Sequence, residues 1–351
     1  MTYLIAGIQQ VGIGVSNVYE ARDWYRDILG YDIVIFDEAA EASLMLPYTD
    51  NKPQKRHAVL AYNLQSGGGF EIWQYTSRTP VPPKFEIKLG DLGIFGVKIK
   101  TTDIRNAYTE FKKKKINIVS ELLETPEGHL HFFFKDPYDN LFEMEENKGL
   151  LLNQSKVTSG SSRVILGVSD IDKSMQFYNN LLGYDTVVYD KEGIFPDLAT
   201  LAGGKDKYRR VLLKHSKKRS GAFSPLLGDS SVELVQAIGR TAKKIYENRL
   251  WGDLGYIHLC FDIIGMSALK NKCEAAGHPF TVDSANSFDM GEAAGHFTYV
   301  EDPDGTLIEF VETHKIPIVK KLNWYLNLEK RGQEKSLPNW FFKILSLAMK
   351  I

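Results

Sequence analysis

Along the chain, short runs of alternating apolar and polar residues are interrupted by single amphipathic segments, and the two periods recur in a fixed order. Gln10-Val11-Gly12-Ile13-Gly14-Val15 alternates with the period of a strand. Ala21, Trp24, Tyr25, Ile28 and Leu29 then fall at three-and-four spacing, which predicts a helix with one apolar face, and Gly30 predicts its end. More strands follow, closing with FEIWQY at Phe70. After the proline-rich TPVPPK the order returns: GVKIK, a helix through Ile104, Ala107, Tyr108 and Phe111, then HFFFKDPYDNLFEM. RVILGVS and IHLCFDI open two further units, which VELVQ and LIEFV close. The pattern predicts an α+β fold of four βαβββ modules.

The order is also a repeat in residues. VSNVYEARDWYRDILGYD from Val15 returns as VSDIDKSMQFYNNLLGYD from Val168, an offset of 153 that places Tyr25 on Tyr178 and Gly30 on Gly183. DPYDNLFEME from Asp136 returns as DPDGTLIEFVE from Asp302, placing Glu143 on Glu309. Two tandem halves are expected, 1–150 and 160–315, joined by KGLLLNQSKVTSGSS. Residues 316–351 lie beyond them. There SLPNWFFKILSLAMKI sets Trp340, Phe341, Ile344, Leu345 and Ala348 at helical spacing, a C-terminal helical extension suited to packing across the two halves or against a second subunit.

Composition narrows the partners. With 351 residues, 43% hydrophobic, the chain can bury more than one core. A formal net charge of -1 offers no basic field to a nucleic acid. No apolar run approaches the ~20 residues that cross a bilayer, and the first residues lack a signal-peptide pattern, so a cytoplasmic protein without nucleic-acid or membrane partners is expected. The two cysteines, Cys260 and Cys273, have no metal-type spacing and read as buried thiols. A homo-oligomer is compatible with all of this.

Strand parity then picks out charge in an odd place. Ile308 and Phe310 in LIEFV must face their module's helix, so Glu309 between them faces the other side. In IHLCFDI the same parity puts His258, Cys260 and Asp262 together, opposite Ile257, Leu259 and Phe261. A carboxylate on such a surface is costly unless a cation or hydrogen-bond donor meets it.

The helix ends (Trp24-Tyr25 to Gly30, Phe177-Tyr178 to Gly183), the twice-repeated DPxxxxxxE hairpin and the module count together resemble the vicinal-oxygen-chelate superfamily of glyoxalases, bleomycin-resistance proteins and extradiol dioxygenases. The resemblance covers nearly all of residues 5 to 315 and implies that each half forms an open, curved, barrel-like sheet with helices outside. It places ligand positions on the first and last strands of each module: Gln10, Glu71, Gly96 and Glu143 in one half, Arg163, Glu233, His258 and Glu309 in the other. From this the expected metal set is His258, Glu233 and Glu309, holding one divalent ion of iron, manganese, nickel, cobalt or zinc for a small-molecule substrate that chelates through adjacent oxygens. No metal is expected in the first half, where His129 and His131 match no ligand position.

Two more residues follow from the resemblance. Tyr299 would serve as an acid or hydrogen-bond donor to substrate, the alternative being a core tyrosine with a satisfied hydroxyl. Arg163 would hold an anionic substrate group or, alternatively, neutralise the cleft acids in a non-catalytic small-molecule-binding protein. Extradiol dioxygenases need a histidine where Arg163 stands, so the reaction is expected to be isomerase- or lyase-like, with ring cleavage as the other branch. Cleft walls are expected from loops such as TVDSANSFDMGEAAG.

Overall fold

A computed structural model of the chain describes residues 2–285, 288–289, 294–319 and 324–351. The α+β class and the four modules hold, with helices outside two curled mixed sheets and a helical C-terminal tail. No described helix is long and apolar enough to cross a membrane.

The repeated helices form for the reasons the sequence offers. In Val18–Leu29 the Asn17 side chain accepts hydrogen bonds from the backbone N–H groups of Tyr19 and Glu20, and Gly30 ends the helix at φ 68°, a left-handed conformation that glycine adopts without a Cβ clash. In Ile171–Leu182, Asp170 accepts from Lys173, and Gly183 repeats the same ending. The paired motif gains a purpose from packing. Buried Tyr25 donates to Asp136 at 2.6 Å, and buried Tyr178 donates to Asp302 at 3.1 Å, so each helix is bonded to the hairpin of the following module. Burial pushes the Asp302 carboxyl up to about 6. These tyrosines and aspartates hold each half together and lie outside any cleft.

The strands join differently. The first strand of module one, Leu4–Gly14, pairs antiparallel with the first strand of module four, Gly255–Ile264. Parallel partners flank this centre: Gly69–Tyr75 on one side and Leu307–Val319 on the other. Modules two and three meet likewise through Gly93–Thr101 and Ser161–Gly167. Each sheet therefore takes one module from each half: a 1–4 sheet and a 2–3 sheet. Backbone hydrogen bonds decide which first strands pair, and those groups are alike in all four modules, so the repeat is silent on the pairing.

The faces divide as parity requires except at Ile257, expected on the helix side with Leu259 and Phe261: the register shift between Gly12 and Ile13, opposite His258 and Tyr256, turns Ile257 to the inner face and sends Tyr256 to the helix side. Val11, Ile13, Phe70, Ile72, Leu259, Phe261, Ile308 and Phe310 enter a core shared with the helices. The inner face of the 1–4 sheet instead contributes Leu60, Trp73, Ile257 and Tyr299 to a second cluster, which the C-terminal helix Asn339–Ala348 enters through Phe341, Phe342 and Leu345. That helix is tied to the edge strand Ile33–Glu41 by a bond from the Val34 N–H to the Met349 carbonyl. Trp340 and Leu347 face outward.

Candidate metal centre

Pairing modules one and four brings four polar side chains together on the inner face of the 1–4 sheet. Glu71 and Glu309 come from the last strands, Gln10 and His258 from the first. His258 Nε2 lies 3.1 Å from a Glu309 oxygen and 3.3 Å from a Glu71 oxygen. The Gln10 amide reaches the same two oxygens at 3.4 and 3.5 Å. His258 is fully buried, and Glu71 keeps 13% of its side chain exposed, so access to the cluster is from the Glu71 side.

Gly12 makes room for the imidazole. It sits opposite His258 across the two central strands, and a Cβ placed on it would lie 2.4 Å from the ring carbon Cε1. Tyr299, on the neighbouring hairpin strand, places its hydroxyl 3.4 Å from His258 Nδ1. That contact leaves Nε2 to face the acids. The Trp251 ring lies parallel to the imidazole at 6.4 Å and edge-on to Trp73, closing one side of the cluster.

Electrostatics here pull in opposite directions. Burial pushes the His258 pKa down, but the charge of Glu309 and the bonds to Glu309 and Glu71 outweigh it and raise it to about 10. Burial likewise disfavours ionised Glu309, yet His258 holds its carboxyl below the usual range. Tyr299 is pushed well above its ordinary value, first by burial and then by the charges of Glu309 and Glu71.

The donor set fits a divalent cation. Ligands about 2.1 Å from a metal stand about 3.0–3.4 Å apart, the spacing found between His258 Nε2 and both acids. Gln10 Oε1 is buried without a partner, and turning the amide over would add it as an oxygen ligand. Among the described residues, Glu71, His258 and Glu309 are the group of acids and histidine close enough to share an ion.

Glu233 does not join His258 and Glu309. It lies in the 2–3 sheet, on the strand Ser231–Ile238, where Lys98 Nζ meets it at 2.7 Å and Arg210 at 2.7 Å. The expected triad assumed that modules three and four share a cleft; the pairing gives Glu71 that place instead. Arg163 is also in the 2–3 sheet and bonds Glu127 at 2.9 Å and Glu145 at 3.2 Å, away from the acids of the 1–4 cluster. Tyr299 is at the cluster, facing the histidine.

The 2–3 sheet is filled with paired charge. Lys98 Nζ also reaches Glu143 at 2.9 Å, His131 Nδ1 lies 2.8 Å from the same carboxylate, and Tyr189 donates to Glu233 at 2.8 Å. Although burial opposes ionisation, Lys98 and His131 hold Glu143 down at about 2. His131 is thus a buried polar core residue, and His129 is exposed. Cys260 and Cys273 are buried free thiols. Residues 286–287 and 290–293 of the loop TVDSANSFDMGEAAG lie outside the described residues.

Gln10, Glu71 and Gly12 complete the site beyond the expected set. Lys98 in GVKIK supplies the counter-charge of the other acid pair, a signal that can be read only once modules two and three are known to pair.

Comparison with known proteins agrees with this architecture. Residues 7–144 and 160–310 match the family model described as Glyoxalase/Bleomycin resistance protein/Dioxygenase superfamily. No curated protein matches the chain. Glyoxalase I from Zea mays is 14% identical with a TM-score of 0.53, the match covering 99% of this chain and 96% of that one. A putative dioxygenase from Bacillus subtilis subsp. subtilis str. 168 is 12% identical with a TM-score of 0.58, covering 88% of this chain and 86% of that one. At such identities the likeness to these two structures is one of fold. The family match spans both repeats and most of the chain, and the protein belongs to the glyoxalase, bleomycin-resistance and dioxygenase superfamily.

Proposed function

We propose that the 1–4 sheet holds one divalent metal ion through His258, Glu71, Glu309 and Gln10, and that this centre is the active site of an isomerase- or lyase-like enzyme acting on a small molecule with adjacent oxygens. The observation that carries the reading is the convergence of a buried carboxylate, Glu309, and a half-buried one, Glu71, on His258 Nε2 at 3.1 and 3.3 Å. When bound, the metal would act as a Lewis acid toward a carbonyl oxygen of the substrate. Iron, manganese, nickel, cobalt and zinc all suit one imidazole and carboxylate oxygens.

The chain's own groups have separable tasks. Glu71, the acid with exposed surface, is placed to take a proton from a substrate carbon and return it to the neighbouring atom. Without metal Gln10 spans Glu71 and Glu309 through its amide nitrogen, and with metal its turned amide would offer the oxygen instead. Tyr299 orients the imidazole, a positioning role that replaces direct donation to substrate. Trp251 and Trp73 keep water from that side. A single histidine in the set favours proton transfer over ring cleavage, which relies on two.

A metal-free binder is the competing reading, and one observation favours it: a protonated His258 would itself neutralise the acid pair. Elemental analysis of protein expressed in unsupplemented medium separates the two. Near-stoichiometric metal that disappears in His258→Ala supports the enzyme. A metal-free protein whose thermal midpoint ignores both chelator and added divalent ions supports the binder.

A further inference from the structure

A cavity of about 580 Å³, whose lining includes Trp251 but none of Glu71, His258 and Glu309, is bounded also by Arg249, Tyr246, Tyr256 and Leu307. Arg249 is only 9% exposed. Its two Nη groups donate to the backbone carbonyls of Leu254 and Ile245, and its Nε meets no acceptor. The nearby acid, Asp253, is already committed: one carboxylate oxygen meets Arg78 at 2.5 Å and the Val81 N–H, the other the Leu250 N–H. Among the described residues Arg249 has no carboxylate partner, so a full positive charge sits nine-tenths buried beside an empty volume, at a cost that an anion would relieve. Trp251 lines the cavity with part of its ring, while its indole N–H, buried without a partner, is closed off from that volume.

The cavity is large enough for a small organic molecule, and Trp251, Tyr256, Ile257 and Leu307 give part of its wall an apolar character. The Tyr246 ring packs against the guanidinium at 4.2 Å, which orients it as in other arginine–aromatic pairs. Lys244 adds a second, exposed cation to the lining, and Asp50 and Asp304 add two carboxylates. Those acids limit the negative charge that can enter. A doubly charged phosphoryl group is disfavoured, and a monoanion with an apolar body suits both the charge and the walls.

We propose that this cavity is a binding site for a small organic carboxylate, with Arg249 as its anion-recognising residue and the Trp251 ring as part of its apolar wall. The site is distinct from the metal cluster and stands or falls independently of the reaction assigned there.

Isothermal titration of the full-length protein with benzoate, and separately with inorganic phosphate, tests it. Wild type should bind benzoate saturably and more tightly than phosphate. Arg249→Met should weaken benzoate by about ten-fold or more, the loss expected for one charge-assisted contact. Lys244→Glu, an exposed change that leaves the core intact, should weaken it by a smaller factor. Where Arg249→Met fails to fold, Lys244→Glu decides. No saturable benzoate binding, phosphate binding more tightly than benzoate, or an affinity unmoved by these substitutions would overturn the proposal. The last outcome would place any bound benzoate elsewhere, including at the metal cluster.

Discussion

At matched positions of the strand registers, the 1–4 sheet carries Gln10, Glu71, His258 and Glu309, and the 2–3 sheet carries Arg163, Glu233, Gly96 and Glu143. The acids are the same in both. What differs is the cation that meets them. Cys260, which pairs with Gln10 and Glu309, is replaced by Lys98, which pairs with Arg163 and Glu143. The lysine places a covalently attached positive charge between two carboxylates, at 2.9 and 2.7 Å. The imidazole pocket is lost as well: Gly12 faces His258 in one sheet, and Ile165 faces Gly96 in the other. A buried pair of acids needs a counter-charge, and whether that charge is tethered or exchangeable separates a structural core from a candidate metal centre.

The comparison can be broken first at the tethered charge. Lys98→Met leaves Glu143 and Glu233 buried with less compensation and should cost about 3–5 kcal/mol in denaturant unfolding. Added divalent ion should restore part of the loss, because the vacated space is bounded by carboxylates. A Lys98→Met protein as stable as wild type would show that the ammonium is dispensable.

The glycine cradle is the next test. Gly12→Ala intrudes on the His258 ring and should cost about 1–3 kcal/mol, together with a measurable loss of metal affinity. Ile165→Ala, at the matched position of the other sheet, should cost about 2–5 kcal/mol by leaving a cavity and should leave metal content unchanged.

Protons provide a gentler probe. His258 in the metal-free protein has its pKa raised to about 10, above the unfolded value near 6.5, so its contribution to stability is complete below about pH 6.5 and fades as pH rises through 10. A metal needs the neutral ring, and binding should release close to one proton at pH 7–8. Apparent metal affinity should therefore rise up to about ten-fold per pH unit across that range. Glu143 shows the reverse sign. Its pKa is lowered to about 2, so its stabilisation is present above about pH 4.3 and fades as pH falls toward 2. A pH-independent affinity would contradict the His258 assignment. At Tyr299 the effect is confined to affinity: Tyr299→Phe should lower it by about ten-fold, the lower end of what removal of an orienting partner does, without emptying the site.

Much of the fold could be read from residues. The helix faces, the glycine stops at Gly30 and Gly183, and the buried parity of Glu309 all follow from local spacing, because a strand or helix declares its period within a few residues. The site was legible only in part. His258 and Glu309 lie on strands of one module and stay together however the modules pair. Glu71 and Glu233 occupy matched positions, and the choice between them depends on which first strands pair. Backbone edges make that choice and leave no side-chain trace. Gly12 was hidden for a related reason: a glycine in a strand becomes meaningful only when its cross-strand neighbour is known to be a histidine.

The central claim is that Glu71, and not its matched counterpart Glu233, completes a metal site with His258 and Glu309. Metal content of Glu71→Gln and Glu233→Gln, expressed side by side and measured by elemental mass spectrometry, addresses it directly. The account predicts that Glu71→Gln is depleted, while Glu233→Gln retains the metal of the wild type at reduced stability. Metal retained in Glu71→Gln and lost in Glu233→Gln would contradict it.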